Sequence, residues 1–124
     1  MTARETDNDP RRIADVVLAA AVRARADAAY IEPMSLTDDA YAITLERGNE
    51  VLSTIALDAQ AGSAVIARLA FLAELDLAAA YPSSGVVPVR SGDRDAEVVI
   101  TIRPGASLRA DLMVMSRHAK RSAA

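Results

Sequence analysis

The chain has 124 residues, 52% of them apolar and 25% charged, which is one domain's worth of sequence. It has no cysteine, a single histidine (His118) and a single lysine (Lys120), which excludes disulfides, thiol nucleophiles, thiolate-held metals and His-rich metal sites. A net charge of −3 excludes bulk attraction to nucleic acid or anionic lipid. Alanine makes up 27 of the 64 apolar residues, with one Phe, three Tyr and no Trp, so the core is expected to be aliphatic.

Residues 1–9 carry no apolar period and read as a disordered tail. Asp9-Pro10 reads as a helix start, Asp as the N-cap and Pro at the first helical position. From Arg11 to about Asp27, Ile13, Val16, Val17, Ala20, Ala21 and Ala24 recur at helical spacing. A short strand is expected over Ala28–Pro33. Two alternating runs, Tyr41–Glu46 and Val51–Leu57, flank Gly48-Asn49 and predict a β-hairpin. A second helix is expected from Ala61 to Leu77, with Val65, Ile66, Leu69, Leu72 and Leu75 as its inner stripe. Tyr81–Gly85 reads as a loop, and Val86–Val89 as an edge strand because of Pro88. Glu97–Arg103 and Leu108–Met115 are the last two strands, separated by a turn at Pro104-Gly105. The predicted fold is α+β: two helices packed on a mainly antiparallel sheet of five to six strands, over residues 10–115. Residues 116–124 form a basic tail with Arg117, His118, Lys120 and Arg121.

No Walker-type loop, Gly-x-Gly-x-x-Gly or Gly-x-Ser-x-Gly occurs. Asp38-Asp39 reads as a solvated loop, with a carboxylate pair for acid–base or metal chemistry as the alternative. His118 sits in a polar tail without an orienting partner in the sequence around it. The tail's basic cluster reads as solvated, with anion binding as the minority reading. Tyr30 and Tyr41 are expected at the edge of the core, with a ligand pocket as the alternative. No catalytic residue, metal site or cofactor is expected. The polar, mixed-charge N-terminus is unlike a signal peptide and no run is long enough to span a bilayer, so the expected compartment is the cytoplasm.

From Tyr30-Ile31-Glu32-Pro33 onward the chain resembles the N-terminal, PAS-like domain that precedes the motor domain of type II secretion and type IV pilus assembly ATPases. In that family an Ile-Glu-Pro segment precedes a hairpin and a helix of the form Arg-Ile-Lys-x-Leu-Ala-x-Leu-Asp-Ile-Ala. Here Ile31-Glu32-Pro33, Gly48 and the segment Arg68 to Ala78 match these pieces, and the resemblance runs from Arg11 to Met115. The departures fall on polar positions. Tyr30 replaces a histidine and Ala28 an aspartate; Ser83 and Ser84 replace Gln-Asp; Val86, Val99 and Val114 replace arginines; Arg109 replaces a glutamate. The family's arginines reach a nucleotide held by the motor domain, which this chain lacks.

The resemblance therefore implies a stand-alone, PAS-like module without catalytic support functions. Its expected role is docking on a protein partner: a motor ATPase, another component of a secretion or pilus machine, or a motility regulator. Glu32, Arg68 and Asp76 are the retained polar positions and the candidate partner-binding residues, with local capping or salt-bridging as the plainer reading of each. A small-molecule (nucleotide) sensor is the alternative function. Self-association is the third expectation, through a sheet edge near Val86 or Leu108 or through the alanine-rich face of the first helix.

Overall fold

The computed structural model describes residues 9–34 and 40–116. The tail over residues 1–8, the Asp38-Asp39 pair and the basic cluster with His118 and Lys120 lie outside the described residues. Helix α1 (Pro10–Arg23) starts as its sequence signals: Asp9 Oδ1 accepts the Arg11 N–H at 2.9 Å, and Pro10 lies at the start. The Arg11 guanidinium donates to the other Asp9 oxygen at 3.2 Å and holds this carboxyl below its usual range. The charged cap is complete above the ordinary carboxylate pKa and is lost as pH falls through the lowered one.

Strands β1 (Ala28–Pro33), β2 (Ala40–Arg47) and β3 (Glu50–Asp58) form a meander. Gly48 makes the β2–β3 turn at φ +62°, and its N–H donates to Asp27 Oδ2 at 2.5 Å. Asp58 ends β3 and caps α2 (Ala59–Leu72), accepting the Ala61 N–H at 2.7 Å. Strands β4 (Ser83–Ser91), β5 (Arg94–Arg103) and β6 (Arg109–Ser116) form a second meander. The sheet order is β3-β2-β1-β6-β5-β4, with every neighbouring pair antiparallel. The fold is thus α+β, two helices on a six-stranded antiparallel sheet. Both helices cover the same face, where Ile31, Ile43, Val98, Ile100 and Leu112 meet Val65, Ile66 and Leu69 of α2. Apart from the ring of Tyr41 the core is aliphatic, as the composition requires.

Three local expectations need correction. The inner face of α1 is Ala14, Val17, Leu18, Ala21 and Val22, turned from the predicted stripe, and Val16 is 55% exposed. Apolar residues occupy two adjacent stripes of this helix, so periodicity alone does not choose between them. Both helices also stop four to five residues short of the predicted ends. At each end the chain turns through a left-handed residue, Arg25 (φ 58°) and Glu74 (φ 61°). The next N–H, of Ala26 or Leu75, then bonds back to Ala21 or Ala70 at 2.9 and 2.8 Å. This is the six-to-one closure usually marked by glycine. Finally, β4 begins at Ser83, inside the predicted loop.

The buried ring of Tyr41 lies directly on Gly62 of α2, where an added Cβ would come within 2.5 Å of its Cγ. Its hydroxyl donates to the Leu108 carbonyl at 2.8 Å, tying β2 to the β5–β6 turn. Replacing Gly62 with Ala should therefore cost about 1–3 kcal/mol in urea unfolding, because the ring has to move. Glu74→Gly should act in the opposite direction, raising stability by about 0.5–1 kcal/mol by removing a left-handed side chain.

Candidate functional site

Helices cover one face of the sheet only, and strand register decides what the other face displays. On β1, Ala29 and Ile31 point into the core, so Ala28, Tyr30 and Glu32 point away from it. Cross-strand partners share a face, so the register assembles rows across the sheet. One row is Val86–Val99–Met113–Ala28 across β4, β5, β6 and β1. Pro88, Glu97 and Met115 form the next row towards the β4–β5 turn. Val86, Met113 and Met115 are each about half exposed despite lying within strands.

On the other side of the apolar row the face is polar. Ser84–Thr101–Asp111–Tyr30–Thr44–Thr54 forms a continuous cross-sheet row. Within it the Ser84 and Thr101 hydroxyls share a hydrogen bond of 2.7 Å. Arg103 Nε donates diagonally to Asp111 Oδ2 at 2.6 Å. Arg109 Nη1 lies 3.8 Å from Glu32 Oε1, and Arg90 pairs with Asp95 at 3.3 Å on the far side of the apolar row. These pairs are solvent-exposed, and exposed pairs contribute roughly 0–1 kcal/mol each. They frame the apolar row.

The three retained polar positions occupy different places. Glu32 is on the uncovered face, paired with Arg109. Arg68 is on α2, on the opposite side of the sheet, its guanidinium 5.3 Å from the centroid of the exposed Phe71 ring. Asp76 follows α2 and accepts the Ala78 N–H at 2.9 Å, closing a turn. The sheet separates Glu32 from Arg68. Tyr30 lies in the polar row, whereas Tyr41 is a core residue.

Recesses among the described residues lie on the helix side. One, of about 300 Å³, includes Val22, Arg25, Asp27, Arg94, Asp95 and Val114 in its lining, with two cations and two carboxylates in balance. Another, of about 360 Å³, lies between α1 and β3 and is lined mainly by Ile13, Val16, Val17, Ile55 and Leu57, with Arg12 beside them. Among the described residues no three His, Cys, Asp or Glu side chains converge to hold a metal ion. Nor is any described helix long and apolar enough to cross a membrane.

Val86 and Val99, two of the positions that the resemblance fills with arginine, are direct cross-strand partners in the apolar row. Met113 and Met115 were hidden in the sequence: the run Leu112-Met113-Val114-Met115 is apolar on both faces of the strand, so alternation does not reveal which pair is outside. No protein-family model and no curated protein matches the chain.

Arg68 offers a test of how its helix is held. Its Nε is buried without a hydrogen-bond partner, a burden of about 1–3 kcal/mol. Stacking on an exposed ring returns only about 0.5–1 kcal/mol. Arg68→Met should therefore leave the urea midpoint unchanged or raise it, and a clear fall would show that the guanidinium has a structural partner.

Proposed function

We propose that the chain is a non-catalytic protein-interaction module that docks through the uncovered face of its sheet. The observation that carries this reading is the apolar row Val86–Val99–Met113, in which Val86 and Met113 are exposed, with Pro88 and Met115 next to it on either side of Glu97. An antiparallel sheet with one solvated face ordinarily alternates apolar-in with polar-out. Here the row Val86–Val99–Met113 breaks that rule, while the neighbouring row from Ser84 to Thr54 keeps it; Val51, at the far end of the apolar row beyond Ala28 and Glu46, is exposed as well. A valine and methionine surface framed by charged pairs suits a protein partner: the apolar centre is easily dehydrated, methionine adapts its shape, and the frame sets orientation.

Resemblance at Ile31–Pro33 and from Arg68 to Ala78 makes a motor ATPase of a secretion or pilus machine the first partner to try. On this reading Val86 and Val99 exchange arginine's role at a nucleotide for apolar contact. A cytoplasmic setting belongs to the same proposal and agrees with the cysteine-free composition.

The test compares wild type with Met113→Lys, a change at an exposed position that leaves the core intact. Wild type should capture a motor ATPase encoded near its own gene, and Met113→Lys should weaken that capture at least about tenfold. Circular dichroism checks that the variant is folded. Equal capture by both proteins, or none by wild type, would sink the proposal.

A further inference from the structure

The sheet has two edges, and the chain treats them differently. Edge strand β4 carries Gly85, Pro88 and Arg90, and Pro88 has no N–H to offer a new neighbour. Edge strand β3 has no such protection. Between Glu50 and Asp58 it reads Val-Leu-Ser-Thr-Ile-Ala-Leu, with no charge, proline or glycine, and most of its residues are exposed. A long, uncharged edge of this kind is a template for strand addition.

The usable part of that edge is bounded. At one end the register with β2 slips between Leu45/Ser53 and Glu46/Val51, leaving Leu52 as a bulge. At the other, Asp58 turns to cap α2. The regular segment is Ser53–Leu57, and its midpoint is Ile55, which is 46% exposed. Ile55 faces the helix side, where it and the exposed Val16 border the recess between α1 and β3.

We propose that β3 pairs antiparallel with β3 of a second copy, about a two-fold axis at Ile55, so that two six-stranded sheets become one. Ile55 then lies opposite itself, Ser53 opposite Leu57, and Thr54 opposite Ala56. Charge selects the same axis. A two-fold at Thr54 would set Glu50 against Asp58 twice, a like-charge pairing that destabilises a sheet. With the axis at Ile55, Asp58 falls towards the bulged Leu52, and no two acidic residues of β3 are set opposite each other. Each copy has one open edge and one protected edge, so the assembly closes at two chains instead of growing. Strand pairing of this length is small beside the roughly 800 Å² per partner of a standard interface, so the dimer is concentration-dependent.

Light scattering over a concentration series should show the mass rising from 13.1 kDa towards twice that value. Ile55→Lys should weaken the association at least about tenfold, while Tyr81→Lys, fully outside the core beside the opposite edge strand, leaves it unchanged. Circular dichroism verifies that both variants are folded. The chain has no cysteine, so single thiols report the register on the otherwise unchanged protein. Oxidised with copper phenanthroline, Ile55→Cys should crosslink with itself. Ser53→Cys and Leu57→Cys should crosslink poorly alone and well when mixed. A one-chain mass at every concentration, an Ile55→Lys protein that still associates, or crosslinks without this pattern would each overturn the pairing. So would a monomer whose β3 amides gain exchange protection only when an extended peptide of another protein is added.

Discussion

Four residue pairs between β1 and β6 hold the molecule together as one sheet. Each meander folds from neighbouring strands, but Ala28, Ala29, Tyr30 and Ile31 find Met113, Leu112, Asp111 and Ala110 some eighty residues away. The ladder is short, and it survives because Ala29, Ile31, Ala110 and Leu112 are all buried beneath the helices. Their alternate neighbours consequently face outward together. The Val114 N–H donating to the Asp27 carbonyl at 2.9 Å extends the seam by one bond. Because loop closure over such a span is costly, this seam depends on the aliphatic core to hold it. It also determines the two surfaces of interest. With β6 in the middle of the sheet, Met113 joins Val99 and Val86, and β3 and β4 are left as edges.

Much of this was legible in the residues, and the gaps have physical causes. Ala28–Pro33 is a strand over the predicted range, and the hairpin turn falls on Gly48-Asn49. Short-range chemistry specifies such features: alternation, a residue that tolerates positive φ, and a capping aspartate. Helix ends were overrun because Arg25 and Glu74 do glycine's work, giving no stop signal while the flanking alanines and leucines continue the helical pattern. Pro88 marks the edge near Val86 in the sequence itself, and β4 is an edge strand. Leu108 instead leads into β6, which is paired on both sides, and the alanine-rich face of α1 is spent on the core. Strand β3 carries no local mark of an edge at all. Its position follows from which meander strand meets β6, a non-local fact that no window of sequence contains.

The candidate surface was partly visible in the same way. Val86 and Val99 attract notice separately, as apolar residues at positions that the resemblance fills with arginine. That they are partners, with Met113 beside them, follows only from register. Glu32, Arg68 and Asp76 attract notice as retained polar residues, yet each has a local engagement: an ion pair, a ring and a turn N–H. Polar identity is read easily from sequence; whether a polar group is already engaged is a property of packing.

Coverage geometry explains why one face stays open. Each helix has 14 residues, so it is about 21 Å long. Six strands span about 24 Å between the outermost pair. Two such helices side by side about 10 Å apart can cover one face of this sheet, and the described residues provide no third. Water or another molecule must therefore meet the second face. Thr44, Thr54, Tyr30 and the charged pairs suit water. Val86, Met113 and Met115 do not: each is about half exposed, and with the partly buried Val99 they interrupt the polar residues of the β4–β6 half. Exposed to this degree they gain little from packing on their own sheet, and that sets the apolar row apart from the polar row beside it.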